Sequence, residues 1–206
     1  MKIKKIVNIC RREGVARIYE DANKTQWLSC GYAFYPLYEV PEFSEDEFFT
    51  IFDFTDKQRN ETIFERTAFP LNLSISDVYP GEELCEKLSP NIPSGSRLLI
   101  PFSTVGGIKF LDSEYLAPLA GESIEVYERT SANGEPYFAV KVGMCLRAII
   151  MPFNAVNKPF VDNIAKIYSL CKNALNKKEA EEDYQIGAFD REDERNASAG
   201  KRTEMQ

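Results

Sequence analysis

The spacing of apolar residues changes several times along this chain, and each spacing predicts an element. Ile6, Val7, Ile9 and Cys10 read as a strand over residues 5–10, and Val15, Ala16, Ile18 and Tyr19 as a second over 14–19, joined tightly through Arg12-Glu13-Gly14. Trp27 and Leu28 lead through Gly31 into an aromatic-rich strand over 32–37. Alternation there would bury Tyr32 and Phe34 and turn Tyr35 to the other face. Ser44 and Glu47 have the spacing of a capping box, with Phe43 and Phe48 placed as its hydrophobic staple, so a helix with Phe48, Phe49 and Phe52 on its apolar side is predicted. Thr55 and Gln58 repeat the signal, and residues 62–69 read as a strand ended by Pro70.

Periodicity is then lost. Residues 74–96 hold Pro80, Pro90 and Pro93 with Gly81 and Gly95, and they read as a linker in preference to a functional loop. Beyond them the rhythm returns. Residues 97–104 and 107–111 predict a hairpin, Asp112 a cap for a short helix through Leu119, and residues 123–129 and 136–142 a hairpin about Asn133-Gly134. Residues 145–151 form a near-continuous apolar run, the mark of a central strand. Pro159 suits the start of a helix in which Phe160, Ile164, Ile167, Cys171, Ala174 and Leu175 share one face.

These elements predict an α+β fold: a mainly antiparallel sheet in two similar lobes, each with a short helix, plus a C-terminal amphipathic helix. The boundaries fall at 1–73, a linker or long loop at 74–96, a second lobe at 97–180 and a flexible charged tail at 181–206. Both halves place a short stapled helix after a hairpin, which hints at an internal duplication.

Composition removes whole classes of chemistry. Histidine is absent from the 206 residues, which excludes Ser-His-Asp and Cys-His catalysis and histidine metal sites. The five cysteines are odd in number, widely spaced and without a Cys-x-x-Cys, as expected of free thiols in a reducing, cytoplasmic setting. Gly106-Gly107 lacks a dinucleotide fingerprint, and no phosphate loop occurs. No apolar stretch approaches the ~20 residues of a membrane span. No catalytic residue, metal or cofactor is therefore expected. Asp53 and Asp56 could hold magnesium but read as cap acids, and Cys30 lacks the basic neighbour that a reactive thiol needs. Trp27, Tyr32, Phe34, Tyr35 and Tyr38 could stack on bases or line a peptide groove, although core packing is their default role.

Net charge is −7, unevenly spread. Lys2, Lys4, Lys5, Arg11, Arg12 and Arg17 face only Glu13 in the first 17 residues, and are the candidates for contact with DNA phosphates, or else a solvated strand edge. Residues 39–56 carry seven acids and no base.

Two stretches together bear a family likeness. Trp27-Leu28-Ser29-Cys30-Gly31-Tyr32-Ala33, and Lys109 through Leu116 followed by a hairpin and Ala148-Ile149-Ile150-Met151-Pro152, resemble segments of DNA sliding-clamp domains. The chain also has the general look of small proteins carried by bacterial mobile elements such as phages and prophages. The clamp resemblance implies function by geometry: helices and basic residues toward double-stranded DNA, and a groove for partner peptides. Gln185-Ile186-Gly187-Ala188-Phe189 resembles the short peptide that docks into such grooves, which makes Gln185, Ile186 and Phe189 candidates for partner binding. The leading expectation is a non-enzymatic binding protein, clamp-like and DNA-associated as a replication accessory, with homo-oligomerisation open. The alternatives are a mobile-element regulator or inhibitor that binds a host protein, and a magnesium-dependent carboxylate enzyme.

Overall fold

Residues 5–10, expected as a strand, lie inside helix α1 (Ile3–Glu13) of the computed structural model, which describes residues 1–178. The apolar residues Ile3, Ile6, Val7 and Cys10 recur at helical spacing, and Ile6, Val7, Ile9 and Cys10 are buried. The β-branched side chains argue for a strand, but this burial along one face outweighs their weak preference. Gly14 ends the helix at φ 68, where its N–H reaches the Cys10 carbonyl. A Cβ there would lie 3.1 Å from the Glu61 carbonyl oxygen, so glycine fits both the backbone and the space.

The chain continues through β1 (Val15–Glu20), β2 (Gln26–Ser29), β3 (Ala33–Leu37), α2 (Glu45–Ile51), α3 (Asp56–Glu61) and β4 (Ile63–Ala68). Both expected capping boxes form, Ser44 with Glu47 and Thr55 with Gln58. Then come β5 (Glu83–Leu84), β6 (Glu86–Lys87), β7 (Ile92–Ser94), β8 (Arg97–Thr104) and β9 (Gly107–Asp112). A 3₁₀ helix (Ser113–Leu119) follows, capped by Asp112 as expected, and then β10 (Ile124–Thr130), β11 (Pro136–Val142) and β12 (Cys145–Ile150). The fold is α+β with a mainly antiparallel sheet.

Eight strands form the main sheet in the order β4-β1-β2-β3-β12-β11-β10-β5, with β4 parallel to β1. Its centre is the short β3–β12 pairing, Phe34 opposite Ile149 and Ala33 opposite Ile150. Outward from that seam the order of elements repeats: a helix, then a three-stranded meander. α1 precedes β1–β2–β3, the 3₁₀ helix precedes β10–β11–β12, and the two helices touch where the Lys2 N–H donates to the Pro118 carbonyl at 2.8 Å. The expected order also holds, with α2 after the β2–β3 hairpin and the 3₁₀ helix after the β8–β9 hairpin, and the two halves share one continuous sheet.

Alternation along the central strands builds two cores. Tyr35, Ile150 and Phe138 pack on one face with α1, α2, the 3₁₀ helix and the second sheet, which β6, β7 and β9 form around β8. Phe34, Ile149 and Tyr137 pack on the other face with Trp27 and Phe69. That second face is covered by Leu73, the residue just before the stretch expected to be a linker, and by Ile75 within it. Residues 74–96 instead belong to the compact unit Met1–Asn154. β5 extends the main sheet and β6 and β7 edge the second. The segment has little periodicity because its order comes from pairing with distant strands. A second unit runs from Ala155 onward; within it residues 158–178 form helix α4.

Candidate functional site

The β3–β12 seam brings together chain segments far apart in sequence. Gly31 turns at φ 93 before β3, a backbone conformation that side chains other than glycine rarely adopt, and Tyr32 is left 54% exposed, against the expectation that it would be buried. The chain leaving β12 runs alongside: the Met151 N–H donates to the Tyr32 carbonyl at 2.8 Å, and the Phe153 N–H to the Phe110 carbonyl at 2.7 Å. Gly31-Tyr32 and Met151-Pro152, quoted above as separate stretches, thus become neighbours.

Two open cavities flank them. One, of about 290 Å³, is lined by Tyr32, Arg97, Tyr115, Met151, Pro152 and Phe153. The other, of about 410 Å³, has Phe34, Pro70, Leu73 and Tyr137 among its lining residues and shares Met151 and Pro152 with the first. Together they make a mostly apolar cleft with a few polar groups, the usual make-up of a recognition site.

The polar end of the first cavity is built on an ion network. Arg97 bonds Asp112 at 2.7 Å, Glu13 at 3.0 Å and the Tyr115 hydroxyl at 3.1 Å. Arg12 reaches Glu13 at 2.7 Å, Asp112 at 3.2 Å and Glu114 at 2.7 Å. Asp112 is fully buried. Burial pushes the Glu13 carboxyl up, but hydrogen bonds from Arg97 and Arg12 outweigh this and hold it below the ordinary glutamate value. Burial raises the Tyr115 hydroxyl. A carboxylate held ionised and a phenol held neutral make a positioned hydrogen-bonding wall, not a proton-transfer pair poised near neutral pH.

The basic candidates are dispersed. Arg12 is taken up by that network, and Arg17 pairs with Glu65 at 2.6 Å. The Arg11 guanidinium lies over the Phe54 ring and donates to the Phe52 carbonyl and to Asn8. Lys2 donates to the Ala120 carbonyl at 3.0 Å. Lys4 and Lys5 are exposed on α1 and make no ion pair among the described residues. Asp53 and Asp56 join no group of three His, Cys, Asp or Glu able to hold a metal among the described residues. Cys30 is buried, and burial pushes its thiol up, away from nucleophilic reactivity. Of the aromatic cluster, Trp27, Phe34 and Tyr35 are core while Tyr32 and Tyr38 are exposed. Gln185, Ile186 and Phe189 lie outside the described residues. No family model, curated protein or solved structure matches the chain. No helix among the described residues is long and apolar enough to cross a membrane.

Sequence reasoning did not single out Arg97 or Phe153, and Tyr115 entered only within the stretch likened to a clamp domain. Asp112 carried a signal, but only as a helix cap.

Proposed function

We propose that this chain is a non-enzymatic binding protein with a clamp-like body, whose working surface is the cleft on either side of Met151 and Pro152, and that the cleft takes an extended apolar peptide of a partner protein. The observation that carries this reading is the exposed Tyr32 ring beside two adjoining cavities that share the Met151-Pro152 wall. An aromatic anchor at the mouth of a concave, largely apolar surface is the kind of feature that dominates peptide affinity. Arg97 and Tyr115 add a polar end that would select an amide or hydroxyl at one position of the peptide.

The test is selection of linear peptides on the immobilised full chain. Enriched peptides carry two or more closely spaced apolar residues, and Tyr32→Ala weakens them at least ~10-fold, in the range of a hot spot. Unchanged affinity in that variant rejects the cleft. A second reading, duplex DNA on the α1 face, draws on Lys4 and Lys5. It requires binding to a short duplex that falls steeply between low and moderate salt and is lost on charge reversal at these two lysines.

A further inference from the structure

Helix α4 carries apolar side chains that are largely exposed: Val161 at 51%, Ile167 at 61%, Tyr168 at 67%, Leu170 at 60% and Leu175 at 55%. A soluble helix with this much exposed apolar surface along one side ordinarily has a partner. Phe160, Ile164, Ile167, Cys171, Ala174 and Lys178 follow one another at alternating steps of four and three, the seam spacing of a helix that packs on another helix.

We propose that α4 pairs antiparallel with α4 of a second copy of this chain. The choice of occupant comes from size and charge along the seam. In an antiparallel pair centred on residue 169, large meets small: Ile164 faces Ala174 of the second copy and Ile167 faces its Cys171. The flanking rows then match as well, with Val161 on Leu175, Tyr168 on Tyr168 and Leu170 on Leu170. Asn163 meets Lys177, so no two like charges are brought together along the flanks. Lys158, Lys166 and Lys172, with Asp162, stay on the outer face. A parallel pair instead sets Ala174 on Ala174 and Lys178 on Lys178, leaving a gap and a repulsion. An anionic membrane surface is the competing occupant, since the lysines would suit it.

The experiment is sedimentation of the full chain at several concentrations, together with mild oxidation. The expected result is a reversible dimer that Ile164→Asp shifts at least ~10-fold toward monomer, with far-ultraviolet circular dichroism showing that the 1–154 fold is kept. A second variant fixes orientation. Ile167→Cys in a Cys145→Ser background would oxidise to a disulfide-linked dimer, and adding Cys171→Ser would abolish it, because only the antiparallel register brings position 167 within disulfide reach of Cys171. Dimers that survive Ile164→Asp overturn the proposal, as do dimers that link only through Cys171 to Cys171. A wild-type chain that stays monomeric and instead cosediments with vesicles containing phosphatidylserine overturns it in favour of the lipid surface.

Discussion

Two buried ion networks hold the 1–154 unit, and they have opposite polarity. Around Arg129 the cation is the buried partner. Its side chain is fully enclosed, bonded to Glu82 at 2.6 Å and to the carbonyls of Ser74 and Ser76 at 3.2 and 2.9 Å, and Lys141 is held by the same Glu82. Around Asp112 the anion is enclosed, while Arg12 and Arg97 keep 31% and 24% of their side chains in water. The first network pins one contiguous segment, 74–82, over the sheet. The second ties together α1, β8, the end of β9 and the 3₁₀ helix beside the cleft. A charge that can turn to solvent tolerates the loss of its partner, and one that cannot does not. The Arg129 network should therefore be rigid and costly to break, and the Asp112 network adaptable. Adaptability suits a wall that meets a ligand.

The largest effect is expected from Glu82→Gln. It leaves two nearly enclosed cations, Arg129 and Lys141, without their shared anion. Breaking a buried pair in this way costs about 3–5 kcal/mol, measurable as a lower urea midpoint with unchanged slope.

Acid sharpens the same contrast. The Glu82 and Glu13 carboxyls are both pushed up by burial but brought below the ordinary glutamate value by hydrogen bonds from their cationic partners. A group whose folded value is depressed stabilises the fold in full above its unfolded value, near ~4.3 for glutamate, and the contribution is lost as pH falls through the lower folded value. Urea unfolding followed from pH 7 downward should show stability flat to about that point and then falling. The fall should be shallower in Glu82→Gln, which no longer takes up that proton. An unchanged slope in the variant would mean that Glu82 is not held by Arg129 and Lys141.

Asp112 has two roles that can be separated. It caps the 3₁₀ helix, accepting from the Glu114 N–H at 3.1 Å, and it anchors two arginines. Asp112→Asn keeps a capping side chain and removes the charge, at an expected cost of about 2 kcal/mol. Asp112→Ala also removes the cap and adds about 1 kcal/mol more. Equal effects of the two substitutions would show that the cap contributes nothing.

What the sequence made legible follows from range. The capping boxes at Ser44 and Thr55, the Asp112 cap and the turn at Asn133-Gly134 are written within four residues, and all appear. The apolar run of 145–151 marked a strand, β12, that does lie near the centre of the main sheet. α1 was misread because Ile6, Val7 and Ile9 favour strands locally, whereas the helical spacing shows only when Ile3 and Cys10 are counted with them. The cleft was not legible as one site. Gly31-Tyr32 and Met151-Pro152 stand more than a hundred residues apart, and only the β3–β12 register makes them neighbours. Nor does the sequence disclose that Arg12 and Arg17, counted among the basic residues, are met by carboxylates from distant elements.

The smallest expected effect bears on that last point. Arg17 and Glu65 lie opposite each other on the parallel β1–β4 pair at the sheet edge, 33% and 50% exposed. Their 2.6 Å contact is the geometry of a strong pair, but solvent screens it and holding two long side chains together costs conformational entropy. A double-mutant cycle with Arg17→Ala and Glu65→Ala should give a coupling of about 0.5 kcal/mol or less, far below that of Glu82 with Arg129. A larger coupling would mean that the edge is drier than its exposure implies. A coupling near zero would mean that solvent screens the pair fully; Arg17 shares its face of β1 with Tyr19, opposite the face that packs on α1, so it would not join Lys4 and Lys5 in either case. Short contacts thus rank the networks poorly; what ranks them is whether each charge has water to fall back on.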